Sequence, residues 1–123
     1  MTFTLDFLPP SANNAYINTK HGRILSPEAR EWLNSAGLIM RSQKHGQHVP
    51  DASKGLVVAI TLVGKWKTRA NTWIRTDLDN RVKLLQDAAF AVMGLNDAAV
   101  ISLTARKQHH PEQNKSIITI GAV

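Results

Sequence analysis

The sequence contains no cysteine, so disulfide bonds, thiolate metal sites and cysteine nucleophiles are all excluded. Any catalysis must therefore use oxygen and nitrogen groups. Long apolar runs are also missing: no stretch approaches the roughly 20 apolar residues that cross a bilayer. The first six residues carry no positively charged leader. From these absences we expect a cytoplasmic protein.

Acidic residues are scarce compared with basic ones. Nine Asp and Glu stand against fifteen Lys and Arg, which gives a net charge of +6 and an isoelectric point near 10.1. An excess of positive charge predicts an anionic partner, and nucleic acid is the first candidate. A membrane surface is disfavoured because the basic residues do not follow one face of a Trp- and Leu-rich amphipathic helix.

The first half of the chain predicts a strand, a hairpin and a helix. Thr2 to Leu8 alternates polar and apolar residues, as in a strand with one buried face, and Pro9-Pro10 ends it. Tyr16 to Leu25 is compatible with a hairpin that turns at His21-Gly22. Ser26-Pro27-Glu28 combines an N-cap, a proline at the first helical position and an acid, so a helix should run from here to about Lys44.

The second half predicts the centre of the sheet and a second helix. Leu56 to Val63 is nearly all apolar, which favours a central strand buried on both faces. A helix should run from near Asp79 to Met93, with Gly94 as its stop. Ala99 to Lys107 and Ser116 to Ile120 should be strands. The predicted fold is a single α+β domain over residues 1–123, a mixed sheet with the two main helices packed on one face.

Three aspartates form a candidate metal site. Asp77 and Asp79 are two residues apart, so their carboxylates point to the same side if the segment is extended. The turn after Gly94 could return Asp97 to them. Carboxylate oxygens are the ligands that Mg²⁺ prefers, and a cation would offset their mutual repulsion. A purely structural alternative, an N-cap, is equally open for Asp79.

Basic residues surround these acids along the chain. Lys83 follows Asp79 by one helical turn, where it could stabilise charge on a phosphate or simply pair with Asp79 or Asp87. Residues 52 to 76 hold five cations and no acid, with Trp66 and Trp73 between them, which predicts a phosphate-binding lip. The tryptophans could stack on exposed bases or serve as core or dimer-interface residues. The candidate DNA contacts are Lys65, Lys67, Arg69, Arg75 and Arg81.

These motifs together resemble the RusA family of Holliday-junction resolvases, the crossover junction endodeoxyribonucleases found in bacteria and their phages. Pro9-Pro10-Ser11-Ala12-Asn13-Asn14-Ala15-Tyr16 is similar to the family's Pro-Pro-Ser-x-Asn segment and its following aromatic. Asp77-Leu78-Asp79-Asn80, Lys83, Asp87-Ala88-Ala89-Phe90 and Asp97 resemble its second motif in order and spacing. One departure is Asn96, because the family usually carries tandem acids at this point.

The resemblance implies a metal-dependent endonuclease that acts on branched DNA. Asp77, Asp79 and Asp97 would bind catalytic Mg²⁺, for which Mn²⁺ could substitute, and Lys83 would assist at the scissile phosphate. The chain would be a homodimer that resolves four-way junctions in recombination and repair by paired symmetric nicks. Two other hypotheses stay open: a non-catalytic basic DNA-binding protein, and a nuclease that cuts flaps or forks equally well.

Overall fold

The computed structural model describes residues 1–75 and 78–123, with Ala12 and Asn13 described by their backbone alone. No helix in these ranges is long and apolar enough to cross a membrane. In chain order the elements are β1 (Thr2–Leu5), α1 (Ala12–Ala15), β2 (Tyr16–Thr19), β3 (Gly22–Leu25), α2 (Pro27–Gln43), β4 (Leu56–Gly64), α3 (Asp79–Met93), a 3₁₀ helix (Asp97–Ala99), β5 (Val100–His109) and β6 (Lys115–Ala122).

The main sheet has four strands in the order β1-β6-β4-β5. β4 pairs in parallel with β5 and antiparallel with β6, which in turn pairs antiparallel with β1. β2 and β3 form a separate antiparallel hairpin that turns at Lys20 and His21, one residue before the predicted position. The predicted α+β class with a mixed sheet is confirmed, and so is the central place of β4.

The core lies on one face of this sheet. Inward residues such as Phe3, Ile60 and Ile118 are buried in one cluster with residues of both long helices, among them Met40 and Leu85. On the other face Val57, in the central strand, is 42% exposed. The prediction that β4 is buried on both faces is therefore wrong. Both helices cover the same face of the sheet, so alternate residues of β4 point away from the core.

Both long helices have the ends that the sequence predicts. The Ser26 hydroxyl accepts a hydrogen bond from Ala29 N at 3.0 Å and donates one to Asn14 O at 2.6 Å, which caps α2. Gly94 ends α3 in the left-handed conformation, with φ 69°. Glycine adopts this conformation without the steric cost that a Cβ atom would bring. The chain therefore turns at Gly94 and then enters the 3₁₀ helix that contains Asp97.

The two edge strands of the sheet, β1 and β5, have different neighbours. Along β1, the side-chain amide of Gln43 bonds both backbone groups of Thr4, and that of Gln47 bonds both backbone groups of Thr2. These glutamines occupy the positions that a neighbouring strand would otherwise fill. β5 forms the opposite edge, next to the turn at Asp97.

Candidate active site

Acidic and basic side chains meet in a cavity of about 260 Å³ between α3 and β5. Asp79, Lys83 and Asp87 follow one another at four-residue spacing, so they share one face of α3. Asp97 joins them from the 3₁₀ helix, and Leu103 of β5 lines the opposite side of the cavity. The structure thus brings together three of the four predicted catalytic residues, Asp79, Asp97 and Lys83, and adds Asp87. The fourth, Asp77, lies outside the described residues.

Asp79 is the first residue of α3, and Leu78 occupies the N-cap position. The alternative that Asp79 serves only as the N-cap is therefore wrong. Its carboxylate stands in the first turn, where the helix dipole favours negative charge. Leu78 has helical dihedral angles, φ −81° and ψ −34°, so the extended geometry assumed for the Asp77–Asp79 pair is not present at Leu78.

Negative charge exceeds positive charge in this cavity. Lys83 Nζ lies 3.6 Å from Asp87 Oδ2. Burial raises the pKa of Asp87, and the nearby charge of Asp97 raises it further, while Lys83 acts in the opposite direction. The rise shows that one lysine does not fully compensate for burial and the neighbouring acid. An added cation would be favoured here.

The donor chemistry of the cavity fits a hard divalent cation. Within residues 1–75 and 78–123, no three Asp, Glu or His side chains are close enough to form a complete metal site. Asp79 and Asp97 nevertheless line one cavity, and Mg²⁺ is commonly held by one or two carboxylates together with substrate phosphate. Asn96 does not simply replace an acid, because its Oδ1 accepts a hydrogen bond from Ala98 N at 2.9 Å and so caps the helix that carries Asp97.

Residues 65–75 form a basic hairpin that leads towards α3. Ile74 N donates to Trp66 O at 2.6 Å, Thr68 N donates to Thr72 O at 2.9 Å, and Lys67 pairs with Trp73. Asn71 stands at the tip with φ 63°. The side chains of Lys65, Arg69 and Arg75 are exposed, and that of Lys67 is half-buried. The predicted lip is thus an ordered turn that presents cations to solvent, and its contact with DNA stays a prediction.

The two tryptophans of this segment have different environments. Trp66 is 5% exposed, and its indole N–H donates to Leu62 O at 2.9 Å. Arg81 Cζ and Lys107 Nζ each lie 5.4 Å from its ring centroid. Trp73 is 54% exposed, with Lys67 Nζ 4.8 Å from its ring centroid. Trp66 therefore belongs to the core, whereas Trp73 is available for stacking.

Arg81 is largely engaged within the chain. Its Nη1 donates to Pro9 O at 2.6 Å, and its guanidinium lies against Trp66. Partial burial lowers the pKa of this guanidinium, which nevertheless stays charged at neutral pH. Arg81 thus ties the Pro9-Pro10 segment to the first turn of α3, two residues after Asp79. Its predicted contact with DNA stays a prediction.

Sequence reasoning missed two residues that organise this region. His109 is half-buried, and its Nδ1 accepts hydrogen bonds from Trp66 N and Lys67 N at 3.1 and 3.2 Å. His109 therefore anchors the base of the basic hairpin. Lys107 lies in a predicted strand and carried no predicted role. Its spacing of two residues from Ala105 and four from Leu103 was the available signal, because alternate strand residues share a face.

Comparison with known proteins identifies the family. A family model described as "Endodeoxyribonuclease RusA" matches residues 6–121, nearly the whole chain. A search of curated proteins found no match. The matched range includes the acidic cavity, the basic hairpin and the Pro9-Pro10 segment.

Proposed function

The chain belongs to the RusA family of endodeoxyribonucleases, and we propose that it resolves four-way DNA junctions by metal-dependent hydrolysis of phosphodiester bonds. One observation carries the chemical part of this proposal: Asp79, Asp97 and Lys83 line a single cavity. Leu78, the residue before Asp79, lines a second cavity together with Trp73 of the basic hairpin. Carboxylates that can hold a divalent cation, with an ammonium group beside them, are functional groups that metal-dependent phosphodiester cleavage can use. Their position next to a cation-rich hairpin supports DNA as the substrate.

Each residue of the cavity then has a role. Asp79 and Asp97, together with Asp77, would hold Mg²⁺, for which Mn²⁺ could substitute. When bound, the ion supplies Lewis-acid stabilisation of the phosphate and lowers the pKa of a bound water. The Lys83 ammonium would offset the charge that develops on the phosphate oxygens. Asp87, 3.6 Å from Lys83, would hold that ammonium against the cavity rather than leave it free in solvent.

The basic hairpin would supply the sequence-independent part of DNA binding. Lys65, Lys67, Arg69 and Arg75 would contact phosphates on the approach to the cavity, with Arg81 behind them. Each neutralised phosphate releases counterions, which makes the affinity strongly dependent on salt. Such contacts position DNA without reading its sequence. Selectivity for branched DNA must therefore come from other features.

A homodimer would provide the two cuts that resolution of a junction requires. Each chain contributes one copy of Asp79, Asp97 and Lys83, whereas two opposed strands must be nicked. A two-fold symmetric dimer presents identical sites to the two opposed strands of a pseudo-symmetric junction. Both cuts can then occur before the protein dissociates.

Cleavage of a labelled four-way junction tests the proposal. The protein is incubated with the junction, a linear duplex and a flap of matched sequence, in Mg²⁺ or in EDTA. We expect symmetric nicks in the junction, little cutting of duplex or flap, and no cutting in EDTA. Metal-independent binding without nicks would instead show a non-catalytic DNA-binding protein. Equal cutting of junction and flap would show a general structure-selective nuclease.

Subunit mixing tests the paired sites. Wild-type protein is mixed with an excess of Asp79→Asn protein under conditions that allow exchange and then added to a supercoiled cruciform plasmid. Heterodimers should nick one strand, so nicked circles should accumulate in place of linear product. Sedimentation should give about twice the monomer mass. A monomer on junction DNA, or an unchanged yield of linear product, would contradict the dimer.

A further inference from the structure

A second cavity, of about 400 Å³, lies next to the acidic cavity. Trp73 of the basic hairpin, Leu78 before α3, and Ala105, Arg106 and Lys107 of β5 line it. We call it the Trp73 cavity. It combines an aromatic ring, two apolar side chains and two basic residues, with no acid among the described residues that line it.

The Trp73 cavity is adjacent to the acidic cavity along the chain and along the sheet. Leu78 lines the first and the next residue, Asp79, lines the second. Ala105 and Leu103 are likewise two residues apart on one face of β5, a distance of about 7 Å. This distance of about 7 Å along β5 is about twice the axial rise per nucleotide of stacked B-DNA. A strand that places a phosphate in the acidic cavity can therefore reach the Trp73 cavity with a neighbouring, unstacked nucleotide.

The side chains of the Trp73 cavity are held in position by the fold. Lys67 Nζ, 4.8 Å from the Trp73 ring centroid, supports that ring through a cation–π contact. Lys107 Nζ packs 5.4 Å from the centroid of the buried Trp66 ring. The Arg106 side chain lies on the opposite face of the sheet from Ala105 and Lys107, where its Nε donates to Thr61 Oγ1 at 3.3 Å. The Trp73 ring and the Lys107 ammonium are thus partly pre-organised, which lowers the entropic cost of binding.

The chemistry of this cavity matches a nucleotide better than a phosphate alone. An exposed indole ring stacks on any base, whereas a free phosphate would use only the cations. Bases inside an intact duplex are already stacked on one another and cannot reach Trp73. A branch point, by contrast, supplies bases that are easily unstacked. β5 is also an edge strand, so some of its backbone groups point away from β4 and can bond the edge of a base.

We propose that the Trp73 cavity binds one unstacked nucleotide next to the scissile phosphate, with its base on Trp73 and its phosphate on Lys107. The inference rests on the proposed action on branched DNA and adds a subsite to it. This subsite lets the protein distinguish a branch point from a duplex, because only the former can deliver an unstacked base without breaking a continuous stack.

Abasic substitution in the DNA tests the proposal. Single bases within three nucleotides of the branch point are removed one at a time, and the dissociation constant of each junction is measured in EDTA, so that the result does not depend on cutting. Wild-type protein should lose fivefold or more in affinity at one position, as expected for loss of a stacked base, and less than twofold at the others. Trp73→Phe should keep this pattern. Trp73→Ala should lose it and bind every junction alike.

Two further variants complete the test. Lys107→Gln should keep the base-specific loss and lower the salt dependence of binding by about one log–log unit. Leu38→Ala removes an exposed apolar side chain on α2, outside the Trp73 cavity, and should behave as wild type. If Trp73→Ala does not fold, the dissociation constants of the abasic junctions with wild-type protein are the measurement that tests the subsite.

Equal losses at all positions, or a base-specific loss that persists in Trp73→Ala, would overturn the subsite. Failure of the proposed function is distinguishable, since it would appear as absent junction cleavage in Mg²⁺. A protein that cuts junctions but shows no base-specific loss keeps its function and lacks this subsite.

Discussion

Lys83 Nζ lies 3.6 Å from Asp87 Oδ2, and both side chains line the cavity that also contains Asp79 and Asp97. The two residues are one helical turn apart, a spacing common in surface ion pairs of little energetic weight. Here the pair also borders two other carboxylates. Asp87 therefore directs the ammonium along the acidic face of α3, where a phosphate would meet it together with a metal.

Loss of the acids should separate cutting from binding. Asp79→Asn and Asp97→Asn should each abolish nicking in Mg²⁺, because the ion loses a charged ligand, and Asp77→Asn should do the same. Junction affinity in EDTA should stay equal or rise, since negative charge is removed from a surface that faces DNA. Asp51→Asn, in an exposed loop, is the matched control and should cut normally. Wild-type cutting by Asp97→Asn would remove that residue from the site.

The basic hairpin should determine the salt dependence of DNA binding. Replacement of Lys65, Lys67 and Arg69 together by Gln should lower the slope of log K against log salt by about 0.9 for each phosphate that is no longer neutralised. Filter binding or anisotropy across a series of salt concentrations measures the slope. Lys20→Gln, in the β2–β3 turn, removes a charge elsewhere and should leave the slope nearly unchanged. An unaltered slope in the triple variant would place the DNA on another surface.

Asp87 should lower the stability of the folded chain as the pH rises, whereas most acids in folded proteins raise it. Burial raises its pKa, so the folded chain binds this proton more tightly than the unfolded chain. The contribution of Asp87 to stability therefore falls as pH rises through the window just above the ordinary value of 3.8. Asp87→Asn cannot ionise, so its stability relative to wild type should increase across this window. The change should stay below about 1 kcal/mol because the carboxyl is partly exposed.

Urea denaturation across the acidic pH range, in EDTA, measures this difference. Asp51→Asn provides a control of opposite sign, since hydrogen bonds from Ser53 lower the pKa of Asp51. That variant should lose stability relative to wild type as pH rises through the range just below 3.8. The same trend in both variants would mean that the environment of Asp87 is not the cause.

Two glycines should respond oppositely to alanine. Gly94 has φ 69°, so a Cβ atom there is strained although nothing lies within 4 Å of it, and Gly94→Ala should destabilise the fold by about 1 kcal/mol. Gly37 lies inside α2 with the same open space, and Gly37→Ala should stabilise the fold by about 0.5–1 kcal/mol. Chemical denaturation measures both. A stabilising Gly94→Ala would contradict the left-handed end of α3.

Local signals in the sequence were sufficient for the helices. Ser26 and Pro27 start α2, and Gly94 ends α3, because capping and backbone freedom depend on a few neighbouring residues. The same holds for one side of the cavity. Once α3 is predicted to begin near Asp79, the helical period places Asp79, Lys83 and Asp87 on one face, whatever the rest of the chain does.

Contacts between distant residues were decided only by the tertiary structure. Sequence patterns could not show that β4 has one exposed face, because an apolar strand reads the same whether helices cover one side of its sheet or both. Nor could they place Asp97 in the cavity, hold the basic hairpin on His109, or set Trp73 beside Lys107. These contacts join residues far apart in the chain. They arise from strand pairing and from the packing of both helices on one face of the sheet. Neither of these interactions produces a periodic pattern of residues within a single segment of the sequence.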